Sequence, residues 1–178
     1  SGVDIDDLDT TAFADGTKGA DVKLLTDAVQ DVIAVKDGNV FGFTDVYLEG
    51  ERVFVRSQET NLGNLSADAN GFAARVALGD DDAFIVSLKN GGGIRAQIGT
   101  ISAPDPIDGT VDKLPPPANG DAGKAEGGVS QLDIENSLRF NNRLMVFDTT
   151  AQGLLNILNH GVAAGTNQGR FPQIGGVK

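Results

Sequence analysis

The sequence predicts an α+β domain in which a mixed β-sheet has helices packed against it. Three observations carry this. Apolar residues recur at helical spacing in three long segments. Short runs with apolar alternation or dense β-branched and aromatic content lie between them. The two kinds of segment alternate irregularly over 178 residues, without an internal repeat, and 40% hydrophobic content is enough for one core.

Residues 1–17 read as a loose acidic lead-in. Asp4, Asp6, Asp7 and Asp9 could ligate calcium, but a solvated tail is the simpler reading. From 20 to 35, Val22, Leu24, Leu25, Ala28, Val29, Val32 and Ile33 fall at helical spacing, with Asp21 near the start and Gly38 as the stop. The runs "NVFGFTDVYL" (39–48) and "RVFVRS" (52–57) read as two strands joined by a Gly-Glu turn at 50–51. A second helix covers 61–78, with Leu62, Leu65, Ala69, Phe72, Ala73 and Val76 on one face. Asp80, Asp81 and Asp82 form a polar stop, better read as a solvated loop than as a metal site.

A strand over 83–88 leads into the glycine loop at 90–95, and "IRAQIGTISAP" then alternates like a strand. Residues 102–128 hold five of the six prolines and many glycines, which predicts an insertion draped over the surface and dispensable for the fold. "SQLDIENSL" (130–138) predicts a short helix and "RLMVFD" (143–148) a strand. A third long helix covers 149–161, with Thr149 and Gln152 as a capping box and Gly161 as its stop.

The net charge of −11 argues against nucleic-acid polymers and anionic membranes as partners, because affinity for both rests on basic patches. It leaves room for a single nucleotide held by arginines. Cysteine is absent, so disulfides and thiolate metal sites are excluded. No apolar run is long enough to span a bilayer, and no signal peptide is visible. The abrupt "SGVDIDDLDT" and "GGVK" termini read as cuts.

The loop "NGGGIR" (90–95) invites a ligand. Its glycines permit positive φ and close approach of a small molecule, Asn90 offers amide donors and an acceptor, and Arg95 a cationic fork. No Gly-Lys-Ser/Thr comes after the glycines, so it is not a Walker loop. "GGGIRA" satisfies a relaxed dinucleotide pattern, but the residues after it have strand period rather than opening a helix. Arg56 sits before the N-terminus of the 61–78 helix, a favourable place for an anion. Phe140, in "LRFNNRL", is either a core plug or a stacking platform. The single histidine, His160, stands at a helix end, where a cation is tolerated beside the dipole. No G-x-S-x-G and no His-rich metal spacing is present, so the chain reads as a binder rather than a catalyst.

Four stretches in order, "VRSQETNLGNLSADA", "NGGGIR", "SLRFNNRLMVFDTTAQGLLNILNHG" and "GRFPQIGGV", resemble the C-terminal domain of the 5'-nucleotidase family. The resemblance covers about 36–101 and 130–178. It implies a substrate-binding domain over 36–178, truncated at its C-terminal end and carrying the 102–128 insertion. Residues 1–35 would be a lead-in plus a hinge or interdomain helix. The implied substrate contacts are Arg56, Asn90, Gly92, Gly93, Arg95, Phe140 and Asn142, with Phe140 stacking on the base. The family pattern Pro-Phe-Gly-Asn falls on 139–142, where Arg139 and Asn141 replace Pro and Gly.

A second stacking aromatic would lie beyond Lys178. The family's zinc- or manganese-type metal pair would be held by motifs before Ser1, in the parent's own N-terminal metal domain, so this chain would carry no cofactor and no catalytic residue. The implied parent is a periplasmic or extracellular phosphohydrolase acting on nucleotide phosphate esters. The competing expectations are a non-catalytic nucleotide-binding module and a surface-interaction domain.

Overall fold

The computed structural model describes residues 10–163 and 165–177. The first helix, α1 (Lys18–Gly38), starts where Thr17 accepts a hydrogen bond from the Ala20 N–H at 3.1 Å. It runs three residues past the expected end. Its apolar residues stay exposed, and Asp37 is its one buried residue. Asp4, Asp6, Asp7 and Asp9 lie outside the described residues.

Strand β1 (Val40–Phe43) pairs antiparallel with β5 (Gly128–Ser130), far along the chain, rather than with its neighbour. The expected second strand is instead a helical turn, α2 (Arg52–Val55). The Glu51 carbonyl captures the N–H groups of Phe54 and Val55 at 3.0 and 3.1 Å, and Val55 becomes fully buried. Tertiary packing here overrides the β propensity of "RVFV".

Helix α3 (Asn61–Leu78) has the expected bounds, with Thr60 capping the Gly63 N–H and Gly79 closing it at φ 66°. The buried face differs from the expected one. Leu65, Ala69, Phe72, Ala73 and Val76 are not buried, while Leu62, Gly63, Ser66, Ala67, Gly71 and Ala74 face inward. The reason is close approach. A Cβ on Gly63 would stand 2.0 Å from the Gln173 side chain, so the helix packs through its smallest residues. Against it lies an antiparallel pair, β2 (Ser87–Asn90) with β6 (Pro172–Gly175). The strand expected over 83–88 therefore begins later, at Ser87.

A third pair joins β3 (Thr100–Ile101), just before the supposed insertion, to β4 (Lys113–Leu114) within it. That corrects the expectation for 102–128. Pro116 is fully buried, the Gly127 N–H donates to Pro116 O at 2.8 Å, and the Lys124 side chain is only 4% exposed. Lys124 Nζ reaches Asp37 Oδ1 at 2.7 Å and Asp133 Oδ2 at 3.5 Å, joining the end of α1 to the far side of the loop. Helix α4 (Gln131–Ser137) opens with a complete Ser130–Asp133 capping box.

The strand expected over 143–148 is absent, and residues 139–150 are irregular. Met145 and Phe147 are 81% and 65% exposed, and no described strand lies alongside to satisfy the backbone. Helix α5 (Ala151–Val162) is capped by Thr150, not Thr149. Gly161 does not end it but is buried under Pro172, where a Cβ would lie 2.9 Å from Pro172 Cδ. The α+β class holds, with the sheet content, among the described residues, in three small antiparallel pairs. The core is Leu48, Val55, Leu62, Ile94 and Ile98, with Val129 and Leu138 packed on it.

Candidate functional site

The glycine loop is a single 3-10 turn, Gly91–Gly93, following Asn90. None of its glycines has positive φ. Their smallness serves backbone packing: a Cβ on Gly91 would stand 1.8 Å from Val55 O, and one on Gly92 2.9 Å from Gly169 Cα. The N–H groups of Gly91 and Gly92 are taken by Phe171 O at 2.7 Å and Gly169 O at 2.8 Å. Asn90 Nδ2 also donates to Gly169 O, at 3.2 Å. The loop thus grips residues 169–171 of its own chain with donors that the sequence alone would offer to a ligand. Gly93 is buried and lies against Asn90 and Lys89.

Arg95 leaves this turn with its side chain exposed. Its N–H donates to Ser137 O at 2.8 Å, and Ser137 Oγ donates to Ala96 O at 2.8 Å. These bonds clamp the end of α4 onto residues 95–96, which carries the following Phe140 over to Arg95. The Arg95 guanidinium lies 5.7 Å from the Phe140 ring centroid, and Phe140 is 50% exposed. The ring is therefore half-exposed at the surface beside Arg95 and not a core plug.

Arg56 closes α2. Its Nε is buried without a protein acceptor. Burial, then the charges of Arg52 and Arg95, lower its guanidinium from the ordinary value, so three arginines share one neighbourhood. Arg52 and Arg95 line an open depression of about 360 Å³ with Glu51, Val53, Gln97 and Asn167. Asn167 adopts φ 64°, and its N–H donates to Arg56 O at 3.0 Å.

The structure brings together Arg95 with Phe140, and Asn90 with Gly92 and Gly93. Arg56 is joined to Arg95 through their shared field. Asn142 stands exposed in the irregular segment, without a hydrogen bond to any described residue. Sequence reasoning missed Arg52, Gln97 and Asn167. Arg52 was hidden inside a presumed strand, whereas "TNQG" around Asn167 is a turn signal that could have drawn attention to it.

His160 Nε2 lies 3.1 Å from Arg170 Nη1 and accepts its hydrogen bond, a contact between a helix end and the 165–170 loop. Among the described residues no cluster of three His, Cys, Asp or Glu side chains is arranged for a metal ion, and no helix is long and apolar enough to cross a membrane.

Comparison with known proteins places the chain in a family. The family model described as "5'-nucleotidase, C-terminal domain" matches residues 40–178. The chain is 33% identical over 138 residues to the "Trifunctional nucleotide phosphoesterase protein YfkN" of Bacillus subtilis (strain 168), covering 77% of this chain and 7% of that protein. It is 31% identical over 147 residues to "Protein 5NUC" of Lutzomyia longipalpis, covering 78% of this chain and 22% of that protein. Among solved structures, the 5'-nucleotidase precursor from Thermus thermophilus superposes with a TM-score of 0.60 at 29% identity, covering 85% of this chain and 24% of that one. The chain therefore spans a small part of each relative's length. It belongs to the 5'-nucleotidase C-terminal domain family.

Proposed function

We propose that this domain holds the base and ribose of a nucleotide whose phosphate ester is hydrolysed elsewhere in a longer parent protein. The observation that carries the reading is the half-exposed Phe140 ring beside Arg95, which with Arg52 lines the open depression. An aromatic face suits a base, and guanidinium forks suit phosphate and ribose oxygens. Arg56, Asn90 and Asn142 complete the proposed contacts, while Gly92 and Gly93 shape the turn that aims Arg95.

The parent would be a metal-dependent phosphoric ester hydrolase of the periplasm or exterior, with residues 1–35 leading in from its metal domain. A divalent pair there would supply an activated water for attack on phosphorus. This domain's own contribution would be to bind and orient the nucleotide.

Titration of the chain with adenosine 5'-monophosphate tests the reading. Saturable, weak binding is expected, because one-sided stacking contributes only about 1–3 kcal/mol per base. Phe140→Ala should weaken it about 5- to 150-fold by that same energy. Arg95→Ala should cost at least as much, since a charge-assisted hydrogen bond contributes about 1.5–3 kcal/mol. Phosphate release from the nucleotide should stay at the buffer level with zinc, manganese or cobalt added. Absence of saturable binding, or binding indifferent to both substitutions, would overturn the assignment.

A further inference from the structure

Glu51 is the one acidic residue among those lining the depression that holds Arg52 and Arg95. Left to itself, a carboxylate there competes with any incoming anion for the guanidiniums. The structure holds it elsewhere. Lys113, at the start of β4, forms ion pairs with Glu49 and, at 3.4 Å, with Glu51 Oε1. Its ammonium also lies 4.7 Å from the Phe54 ring centroid and 4.9 Å from that of Tyr47. The Tyr47 hydroxyl donates to Glu51 Oε1 at 3.2 Å, and Glu49 Oε1 accepts the Glu51 N–H at 2.8 Å. Two of these contacts, from Lys113 and from the Tyr47 hydroxyl, fall on the Glu51 carboxylate, and the others fix Lys113 and the Glu51 main chain beside it. Lys113 itself lies in the segment whose composition suggested an idle insertion.

We propose that Lys113 is a positioning residue for the anion site: by holding Glu49 and Glu51 it keeps the Glu51 carboxylate off Arg52 and Arg95 and leaves them available to a nucleotide phosphate. This role rests on the nucleotide-binding reading above. The aromatic walls add direction. Cation–π attraction from two rings holds the ammonium beside Glu51, where a solvated lysine would sample many positions. In a chain of net charge −11, neutralising the acids at the rim is what lets a local positive field persist.

The test uses the chain with adenosine 5'-monophosphate and, as the uncharged control, adenosine. Lys113→Met keeps the stem packed between the rings and removes the charge. It should weaken monophosphate binding about 3- to 10-fold, the penalty of a like charge left facing the ligand, and leave adenosine unchanged. Lys113→Arg should retain wild-type affinity. Glu51→Gln added to Lys113→Met should restore monophosphate binding to within about twofold of wild type, because the competing charge is gone. Restoration by that double variant also separates an electrostatic role from a folding defect, which a second substitution would not repair.

Unchanged monophosphate affinity in Lys113→Met, with wild type binding well, overturns this role alone. Equal loss of monophosphate and adenosine, or no recovery in the double variant, does the same. Failure of both wild type and Glu51→Gln to bind either probe overturns the nucleotide reading and this role with it.

Discussion

Two segments of this molecule invert what their compositions suggest. Residues 102–128, crowded with proline and glycine, contribute one strand of the β3–β4 pair, a fully buried proline and a buried lysine. Residues 143–148, read as a strand, form none and leave Met145 and Phe147 largely in solvent. An apolar run states what a segment can pair with; it does not supply the partner. Local chain stiffness matters less than whether a segment's polar groups find fixed partners. Lys124 finds Asp37 and Asp133, and Asn119 Nδ2 donates to Asp37 Oδ2 at 2.8 Å. The backbone from 143 to 149 finds none among the described residues.

The contrast can be broken most directly at Lys124. Lys124→Met should destabilise the domain by about 3–5 kcal/mol in urea unfolding, because Asp37 is left as an uncompensated buried charge. A loss below about 1 kcal/mol, the size of an exposed ion pair, would mean that the segment is the loose insertion its composition suggests. Ser130→Ala should cost about 1–3 kcal/mol, since Ser130 Oγ donates to Asp37 Oδ1 at 2.8 Å and accepts the Asp133 N–H at 3.2 Å. A substitution without measurable effect on the unfolding midpoint would remove the hydroxyl from the network.

Acid sharpens the same point. Burial pushes the Asp37 carboxyl up, but hydrogen bonds from Lys124, Asn119 and Ser130, with the charge of Lys124, outweigh it and hold the carboxyl below the ordinary range. A carboxylate depressed in the folded state adds stability that is present above its unfolded pKa and is lost as pH falls through the lower folded value. The stability gap between wild type and Asp37→Asn should therefore be full at pH 7 and narrow below about pH 4. A gap independent of pH would contradict that network. At the other end of the scale, Phe147→Ser should change stability by less than about 0.5 kcal/mol, as expected for an exposed side chain. A loss of several kcal/mol would show that 139–150 is packed after all.

Much of the helical frame was legible. The bounds of α3 and the short helix within 130–138 were expected, and the structure adds the caps Thr60, Gly79 and the Ser130–Asp133 box that fix them. The buried face of α3 was not legible from apolar spacing, since β2 and β6 select its smallest residues for close approach. The hairpin expected from 39–57 failed for a related reason: the partner of β1 is β5, and nothing near β1 in sequence announces it. At the site, Arg95 and Phe140 were legible as residue types. Their meeting depends on Ser137 bonding across to residues 95–96, which only the folded chain reveals. Lys113 was hidden because the segment carrying it was read as spacer.

The buried side chain of Gln173 has a consequence for how this domain comes into being. Its Oε1 accepts the Thr60 N–H at 3.0 Å, and its Nε2 donates to Val55 O at 3.0 Å and Gln58 O at 2.7 Å. Three main-chain groups between α2 and α3 thus wait for a side chain encoded 113 to 118 residues later. The ribosome can release α3 long before this partner exists, and such distant pairings close slowly. The arginine-bearing turn at Arg56 therefore reaches its final shape only after β6 has emerged and docked. Until then the chain displays unsatisfied main-chain groups and apolar surface to its surroundings, and a nascent chain stalled before residue 173 should be unusually open to protease and chaperone alike.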